Sequence, residues 1–245
     1  MNLDNLPYEI FYQFYDIRAN IALKKEQVLY LKKYLLNYDD ALVLDLACGT
    51  GNLTIELAKL GCKVIGVDKS PKMLAIAKLK AKDCKISPIF IQETFQSYSY
   101  NCKYNAVICS SFSLNYICDY IEITNVFTNI YKSLTDGGVF IFDMIYPNEA
   151  EKHFANKLHF ENEDVKIFTS FEWKNRVDNL YEVLFSFFLK KNNVISKEVH
   201  LSKSYNPNEI QTILIDIGFQ VIEFKIQSKL FKNGSADLFQ IIAKK

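Results

Sequence analysis

One stretch of the 245-residue chain constrains its fold more than any other, VLDLACGTGNLTIELAKLGCKVIGVDKS, from Val43 to Ser70. An apolar run leads into a glycine turn, an amphipathic segment, a second apolar run and one acidic residue. This order predicts a strand, a helix and a second strand parallel to the first, because parallel strands need a crossover connection. We therefore expect an α/β fold built on a parallel sheet that is covered on both faces.

The turn and the acidic residue together indicate a ligand site. Gly49 and Gly51 lie where the first strand meets the helix, so backbone N–H groups there can face an anion. Asp68 ends the second strand, where a carboxylate can accept hydrogen bonds from both hydroxyls of a ribose. Each feature alone would also suit a plain turn or a helix cap, but the combination predicts a nucleoside cofactor. A dinucleotide fingerprint would place glycine at position 54, and Thr54 argues against a nicotinamide cofactor.

The remaining pattern divides the chain into three units. Strands and helices alternate to about residue 147, and the apolar period then drops to two. We predict antiparallel strands in VKIFTSFEW, in YEVLFSFFL and after KKNNV, followed by a helix in NPNEIQTILIDIG and a closing strand pair. Two helices are predicted before residue 40, the second with Val28, Leu29, Leu31 and Leu35 on one face. The units are a helical N-terminal segment at 1–39, a sheet domain at 40–147 and 205–245, and a β insert at 148–204.

Charge and cysteine usage exclude several classes of protein. Lys and Arg total 29 against 28 for Asp and Glu, so nothing in the net charge of +1 attracts nucleic acid or anionic lipid. The six cysteines contain no CxxC pair and the histidines show no metal-ligand spacing, so we predict no metal site. At least two of His153, His159 and His200 are expected at surface or interface positions. With no leader pattern and no membrane-spanning apolar run, we expect a cytoplasmic protein with no membrane partner.

The motifs match those of a known family. VLDLACGTGNLT followed by VIGVDKSPKML resembles motif I and the acidic motif of Rossmann-like (class I) S-adenosylmethionine-dependent methyltransferases. The likeness continues through FIQETF, KYNAVICSSFSLNYI and LTDGGVFIFD, and the insert resembles that of small-molecule N-methyltransferases. The resemblance implies a seven-stranded, mostly parallel sheet with helices on both faces, plus a small antiparallel insert after strand five.

The resemblance also implies which residues contact S-adenosyl-L-methionine, whose product is S-adenosyl-L-homocysteine. Ala47, Gly49 and Gly51 would approach the methionine moiety, and Asp68 would hold the ribose. The implied neighbours of the adenine are Lys69, Met73, Glu93 and Thr94. Glu93 stands where the family usually has Asp, which leaves its contact with the adenine amino group open.

Two further segments complete the implied site. Ser110 and Ser111 follow the fourth strand, where the family's backbone approaches the amino group of the cofactor. The N-terminal segment YEIFYQFYD resembles a lid whose tyrosines, Tyr8 and Tyr15, close over the cofactor. An equally good interpretation of that segment is an amphipathic helix docked by its aromatic stripe.

The catalytic groups remain open at this stage. The cofactor supplies the electrophile in an in-line displacement, so an amine acceptor needs only to be deprotonated, whereas a hydroxyl needs a base. Tyr116, Tyr146 and His153 are candidates because they follow strands four and five, where ligands bind in such sheets. The acceptor implied by the resemblance is a small molecule, an amine, and the protein a monomer or homodimer. The alternatives are an RNA or other macromolecular acceptor, or a module that binds the cofactor without catalysis.

Overall fold

The computed structural model describes residues 7–18, 31, 33–35, 41–99, 101, 103–147, 149–155, 157–227 and 238–245. Its strands form two sheets. In chain order the strands are β1 (Leu42–Leu46), β2 (Lys63–Asp68), β3 (Ile89–Gln92), β4 (Tyr104–Cys109), β5 (Leu134–Ile145), β6 (Lys157–Glu161), β7 (Val165–Asn175), β8 (Leu180–Leu189), β9 (Val194–Lys203), β10 (Gln220–Gln227) and β11 (Leu238–Lys244).

The larger sheet has the order β10-β11-β5-β4-β1-β2-β3. Strands β1 to β5 run parallel to one another, while β11 is antiparallel to both β5 and β10. The predicted fold class, a mostly parallel seven-stranded sheet with a separate antiparallel unit, is confirmed. Both faces of the sheet are buried, because neighbouring positions such as Val43 and Leu44 pack into different apolar clusters.

The helices are α1 (Tyr15–Arg18), α2 (Asn52–Lys59), α3 (Pro71–Asp83), α4 (Tyr120–Ser133), α5 (Glu149–Phe154) and α6 (Pro207–Ile217), with 3-10 turns at Phe11–Gln13 and Ser113–Tyr116. Helix α3 begins as its sequence predicts. The side chain of Ser70 accepts a hydrogen bond from the Met73 N–H at 3.3 Å, and Pro71 occupies the first turn, where a missing N–H costs nothing. This start fixes Met73 at the carboxyl edge of β2.

The smaller sheet has the order β6-β7-β8-β9, all antiparallel. The predicted alternation is confirmed in β8, where Tyr181, Val183, Phe185 and Phe187 are buried. Their cluster includes Ile145 of the larger sheet, so these side chains pack the two sheets together. Strand β6 and helix α5 were not predicted.

The N-terminal segment packs against both sheets. Phe11 and Phe14 lie in the apolar cluster of the smaller sheet, and Leu31 and Leu35 lie against the larger one. Val28 and Leu29 of the second predicted helix lie outside the described residues. No helix in the described part of the chain is long and apolar enough to cross a membrane.

The histidine prediction was wrong. His153 and His200 are 1% and 2% exposed, and the side chain of His159 lies outside the described residues. His153 is buried because α5 places its ring against those of Phe112 and Phe154.

Candidate functional site

A cavity lies at the carboxyl ends of β1, β2, β3 and β4. Its lining comes from four loops of the larger sheet and from the N-terminal segment. The lining residues are Tyr8, Tyr15, Leu46, Ala47, Gly49, Val67, Asp68, Lys69, Met73, Glu93, Thr94, Phe95, Gln96, Ser113 and Tyr116. None of the described residues of the insert lines it. Carboxyl ends of parallel strands are where ligands bind in such sheets.

The turn after β1 is held in a left-handed conformation. Ala47, Gly49 and Gly51 have φ angles of 56°, 55° and 74°. The two glycines serve different purposes. A Cβ on Gly51 would lie 2.9 Å from the Cβ of Ala77, so this glycine permits close packing of α2 on α3. A Cβ on Gly49 would meet only Tyr15, at 3.9 Å, so this glycine instead keeps space open beside the cavity.

Asp68 joins the turn to the next strand end. One carboxylate oxygen accepts the Gly49 N–H at 2.8 Å, and the other accepts the Ser70 N–H at 2.8 Å. Burial raises the pKa of Asp68, while these N–H groups and Lys69 oppose that rise. A carboxylate has about four lone-pair sites. Two remain for a ligand in the cavity.

The loop after β3 forms another wall. The Glu93 carboxylate accepts a hydrogen bond from the Ser97 hydroxyl at 2.6 Å, and Ser97 also bonds Thr94. Phe95 and Gln96 from this loop line the cavity as well, and the sequence analysis missed them. Met73, which also lines the cavity, is 2% exposed. Apolar Met73 and Phe95 with polar Glu93 suit a flat heterocycle with polar edges.

The N-terminal segment is fastened over the glycine turn by Asp16. Its carboxylate accepts hydrogen bonds from the hydroxyl of Thr50 at 2.6 Å and the side-chain amide of Asn52 at 2.8 Å. It also pairs with Lys80 at 2.7 Å. Tyr15, the preceding residue, lines the cavity. The sequence analysis missed Asp16, whose partners lie 34 to 64 positions away.

A second fastening comes from the insert. Glu198 of β9 accepts backbone N–H groups of Tyr8 at 2.5 Å, of Ile10 at 2.8 Å and of Phe11 at 3.1 Å. It also contacts Nε2 of His200 at 2.5 Å. Burial raises the pKa of Glu198, but the hydrogen bonds from His200 and the backbone outweigh burial and leave it below its ordinary value.

The hydroxyl of Tyr116 connects this carboxylate to the cavity. It lies 2.5 Å from Nδ1 of His200 and 3.0 Å from the hydroxyl of Tyr8. Burial raises the pKa of Tyr116 well above its ordinary value, so the phenol stays protonated. The pair Glu198 and His200 was missed in sequence. Their spacing of two in a period-two strand was the available signal, since it places both on one face of β9.

Several sequence candidates lie elsewhere. Gly51, Ser110, Ser111, Tyr146 and His153 are not among the lining residues. The backbone N–H groups of Ser111 and Phe112 donate to Asp143 of β5, which stabilises the left-handed loop after β4. Tyr146 packs edge-on against Phe239. Of the three catalytic candidates, only Tyr116 lines the cavity.

Thr54 has a structural partner. It is fully buried and donates its hydroxyl to Asp45 at 2.5 Å. The position that would hold the third glycine of a dinucleotide fingerprint instead ties α2 to β1.

Comparisons with known proteins agree with this architecture. Residues 43–138, from β1 into β5, match the family model described as a methyltransferase domain. A protein of Geobacillus sp. (strain WCH70) named as a putative methyltransferase is 27% identical over 224 residues, covering 89% of this chain and 91% of that protein. The chain is an S-adenosylmethionine-dependent methyltransferase.

Other proteins similar to this methyltransferase are named for S-adenosylmethionine or a derivative of it. A carboxy-S-adenosyl-L-methionine synthase of a Nitratiruptor species is 29% identical over 180 residues, 71% of this chain and 72% of that protein. Among solved structures, an S-adenosylmethionine-dependent methyltransferase from Clostridium acetobutylicum aligns with a TM-score of 0.79 at 22% identity, covering 96% of both chains. A Micromonospora echinaspora amino pentose methyltransferase, solved with S-adenosylmethionine, aligns with a TM-score of 0.74 at 17% identity over 98% of both chains.

The cavity of the methyltransferase fits its cofactor, S-adenosylmethionine. Asp68 offers two acceptor sites for a ribose diol, and the open face of Gly49 leaves room at the turn. Met73 and Phe95 offer apolar walls for a base. The residues present therefore match the three chemical parts of the molecule.

Proposed function

We propose that this methyltransferase transfers the methyl group to an amine nitrogen of a small molecule. The observation that carries the proposal is the wall of tyrosines at one end of the cavity. Tyr8, Tyr15 and Tyr116 line it, and the buried carboxylate of Glu198 lies behind them through His200. Aromatic faces and a buried anion favour a cationic or amine ligand over an anionic one.

The proposed binding mode uses residues that line the cavity. Ala47 and Gly49 face the methionine moiety, Asp68 binds the ribose hydroxyls, and Tyr8 and Tyr15 cover the cofactor. The proposed neighbours of the adenine are Lys69, Met73, Glu93 and Thr94. Ser110, Ser111 and Gly51 act from behind this lining, through the backbone of their loops.

The N-terminal segment beside the cavity favours a small acceptor. The N-terminal segment is fastened to the larger sheet by Asp16 and to the smaller sheet by Glu198. Because this segment contributes Tyr8 and Tyr15 to the cavity wall, a small molecule fits the site better than a nucleic acid does. The near-neutral charge of the chain gives no compensating attraction. The proposed units are the lid at 1–39, the cofactor-binding domain at 40–147 and 205–245, and the substrate cap at 148–204.

A transfer assay tests the proposal. The purified chain is incubated with S-adenosylmethionine labelled in its methyl group and, separately, with a panel of small amines, the matched alcohols and total RNA. We expect label in at least one amine and none in its alcohol. Label in RNA alone, or in no acceptor despite saturated cofactor binding, would contradict the proposal and favour a macromolecular acceptor or a binding module respectively.

A further inference from the structure

We propose that Tyr116, His200 and Glu198 form a proton relay that removes a proton from the methyl acceptor. The proposal rests on the proposed function and assigns chemistry to the insert, which otherwise only covers the larger sheet. Tyr116 is the catalytic residue, because its side chain lines the cavity. His200 and Glu198 act through it.

Each group of the relay lies within hydrogen-bond distance of the next. The Tyr116 hydroxyl lies 2.5 Å from Nδ1 of His200, whose Nε2 lies 2.5 Å from the Glu198 carboxylate. Because a carboxylate only accepts hydrogen bonds, Nε2 carries the proton in neutral His200. Nδ1 then accepts from Tyr116. A lone pair of the Tyr116 oxygen stays available to the cavity or to the Tyr8 hydroxyl, 3.0 Å away.

Glu198 remains a carboxylate throughout. It accepts three backbone N–H groups from the lid besides its bond to His200, and these stabilise the ionised form. Its role is that of the buried carboxylate in a hydrolase triad, which orients the imidazole and stabilises the imidazolium without taking the proton.

His200 is buried among aromatic rings, with a carboxylate beside it. Rings of Tyr8, Phe11 and Phe185 surround the imidazole, at centroid distances of 5.1, 6.4 and 4.7 Å. The titratable groups that bear on the relay are Lys69, Lys72, Tyr8, Tyr181 and Glu198. The Lys69 ammonium lies 5.5 Å from the centroid of the Tyr116 ring. Glu198 is the anion in direct contact with the imidazole.

The step conserves charge and atoms. The acceptor N–H⁺ gives its proton to the Tyr116 oxygen, the Tyr116 hydroxyl proton moves to Nδ1, and the acceptor keeps the electron pair. His200 becomes an imidazolium paired with Glu198. Bound S-adenosylmethionine supplies the methyl group that this electron pair attacks.

The relay matters only for acceptors that arrive protonated. An ammonium has no lone pair, so an amine of high pKa must lose a proton before it can be methylated. An aromatic amine is neutral at pH 7 and needs no such step. The relay therefore predicts a specific class of acceptor, an aliphatic amine that is charged in solution.

The test compares Tyr116→Phe with wild type on benzylamine and aniline. Phenylalanine keeps the ring and removes only the hydroxyl. We expect kcat/KM for benzylamine to fall by about 10²–10⁴-fold and kcat/KM for aniline by less than about tenfold. Equal losses on both amines would overturn the relay and assign Tyr116 a structural role. Tyr205→Phe is the matched control, since Tyr205 is buried, donates its hydroxyl to the Ile117 carbonyl at 2.6 Å and does not line the cavity.

A second readout needs no acceptor. Nitrogen NMR of the protein bound to S-adenosylhomocysteine reports the protonation of His200, assigned with His200→Gln. We expect His200 to be neutral, with its proton on Nε2, at the pH at which the transfer assay is run. An imidazolium at that pH, or a proton on Nδ1, would overturn the relay. Because this measurement is independent of turnover, it separates failure of the relay from failure to find an amine acceptor.

Discussion

Two effects act in opposite directions on the pKa of Asp68. Burial raises the pKa, while the hydrogen bonds from the N–H groups of Ser70 and Gly49, which hold the turn, lower it. Asp68 also lines the cavity, where the ribose of the proposed binding mode would add further hydrogen bonds to its carboxylate.

We predict that Asp68→Asn weakens binding of S-adenosylmethionine by about 1–3 kcal/mol, because charge-assisted hydrogen bonds to the ribose are lost. Equilibrium dialysis with labelled cofactor measures the effect. Asp83→Asn, which changes an exposed carboxylate at the end of α3, serves as control. Unchanged affinity in Asp68→Asn would place the ribose elsewhere.

The two glycines of the turn give separable predictions. In Gly51→Ala the new Cβ would lie 2.9 Å from Ala77 and 3.2 Å from the ring of Phe90, so we expect overpacking to lower stability by about 1–3 kcal/mol. In Gly49→Ala the Cβ enters space beside the cavity, so cofactor affinity should fall more than stability. Denaturant unfolding and dialysis on both variants test this contrast. The reverse ranking would contradict the assignment of the two glycines.

At the scale of elements, two sets of contacts hold residues 7–18 of the proposed lid. Asp16 binds the glycine turn, and Glu198 of β9 binds the backbone of Tyr8, Ile10 and Phe11. Because Tyr8 and Tyr15 line the cavity, we expect the cofactor to dissociate faster when one of these contacts is lost.

We predict that Asp16→Ala raises the dissociation rate of S-adenosylhomocysteine by about 5- to 10-fold, the equivalent of about 1–1.4 kcal/mol or one ordinary net hydrogen bond. Stopped-flow displacement measures the rate. Glu151→Ala is a fair control, because it removes an exposed ion pair with Arg176 of the insert and leaves the lid contacts intact. An unaltered rate would show that Asp16 does not limit opening.

The pH dependence of the protein's stability should show the contribution of the Glu198 carboxylate. Its pKa in the folded chain lies below its ordinary value of 4.5, so its contribution is present above that pH and is lost as pH falls through the folded pKa. We expect Glu198→Gln to lower Tm clearly at about pH 7 and progressively less as the pH falls below 4.5. Thermal melts across this range test the sign. A constant difference in Tm at all pH values would contradict a role for the carboxylate charge.

The helices and strands also show which parts of the structure could be predicted from the sequence and which could not. The helices and strands from β1 to β5 follow from apolar periodicity and the Ser70-Pro71 cap. Strand β6 escaped prediction because it has five residues, of which only Leu158 and Phe160 are apolar. Asp68, which lines the cavity, could be predicted as a site residue because the turn and the strand end lie close together in the sequence. Glu198 could not, because its contact with Tyr8 joins residues 190 positions apart.

For the molecule as a whole, the lid and one buried amide couple the two sheets. Asn115 donates to the Lys203 carbonyl at the end of β9, at 2.7 Å, and accepts the Ile145 N–H at the end of β5, at 3.1 Å. The relay residues on β9 are therefore fixed relative to the cavity of the larger sheet. In the proposed relay, this coupling would place a proton acceptor from the smaller sheet against a cofactor bound at the larger one.

The most direct test of the account is a calorimetric titration of the purified chain with S-adenosylmethionine, S-adenosylhomocysteine and NAD. The account predicts saturable binding of both sulfur nucleosides, one per chain, and no binding of NAD. Binding of NAD alone, or of none of the three, would contradict the assignment of the Asp68 cavity as the cofactor site.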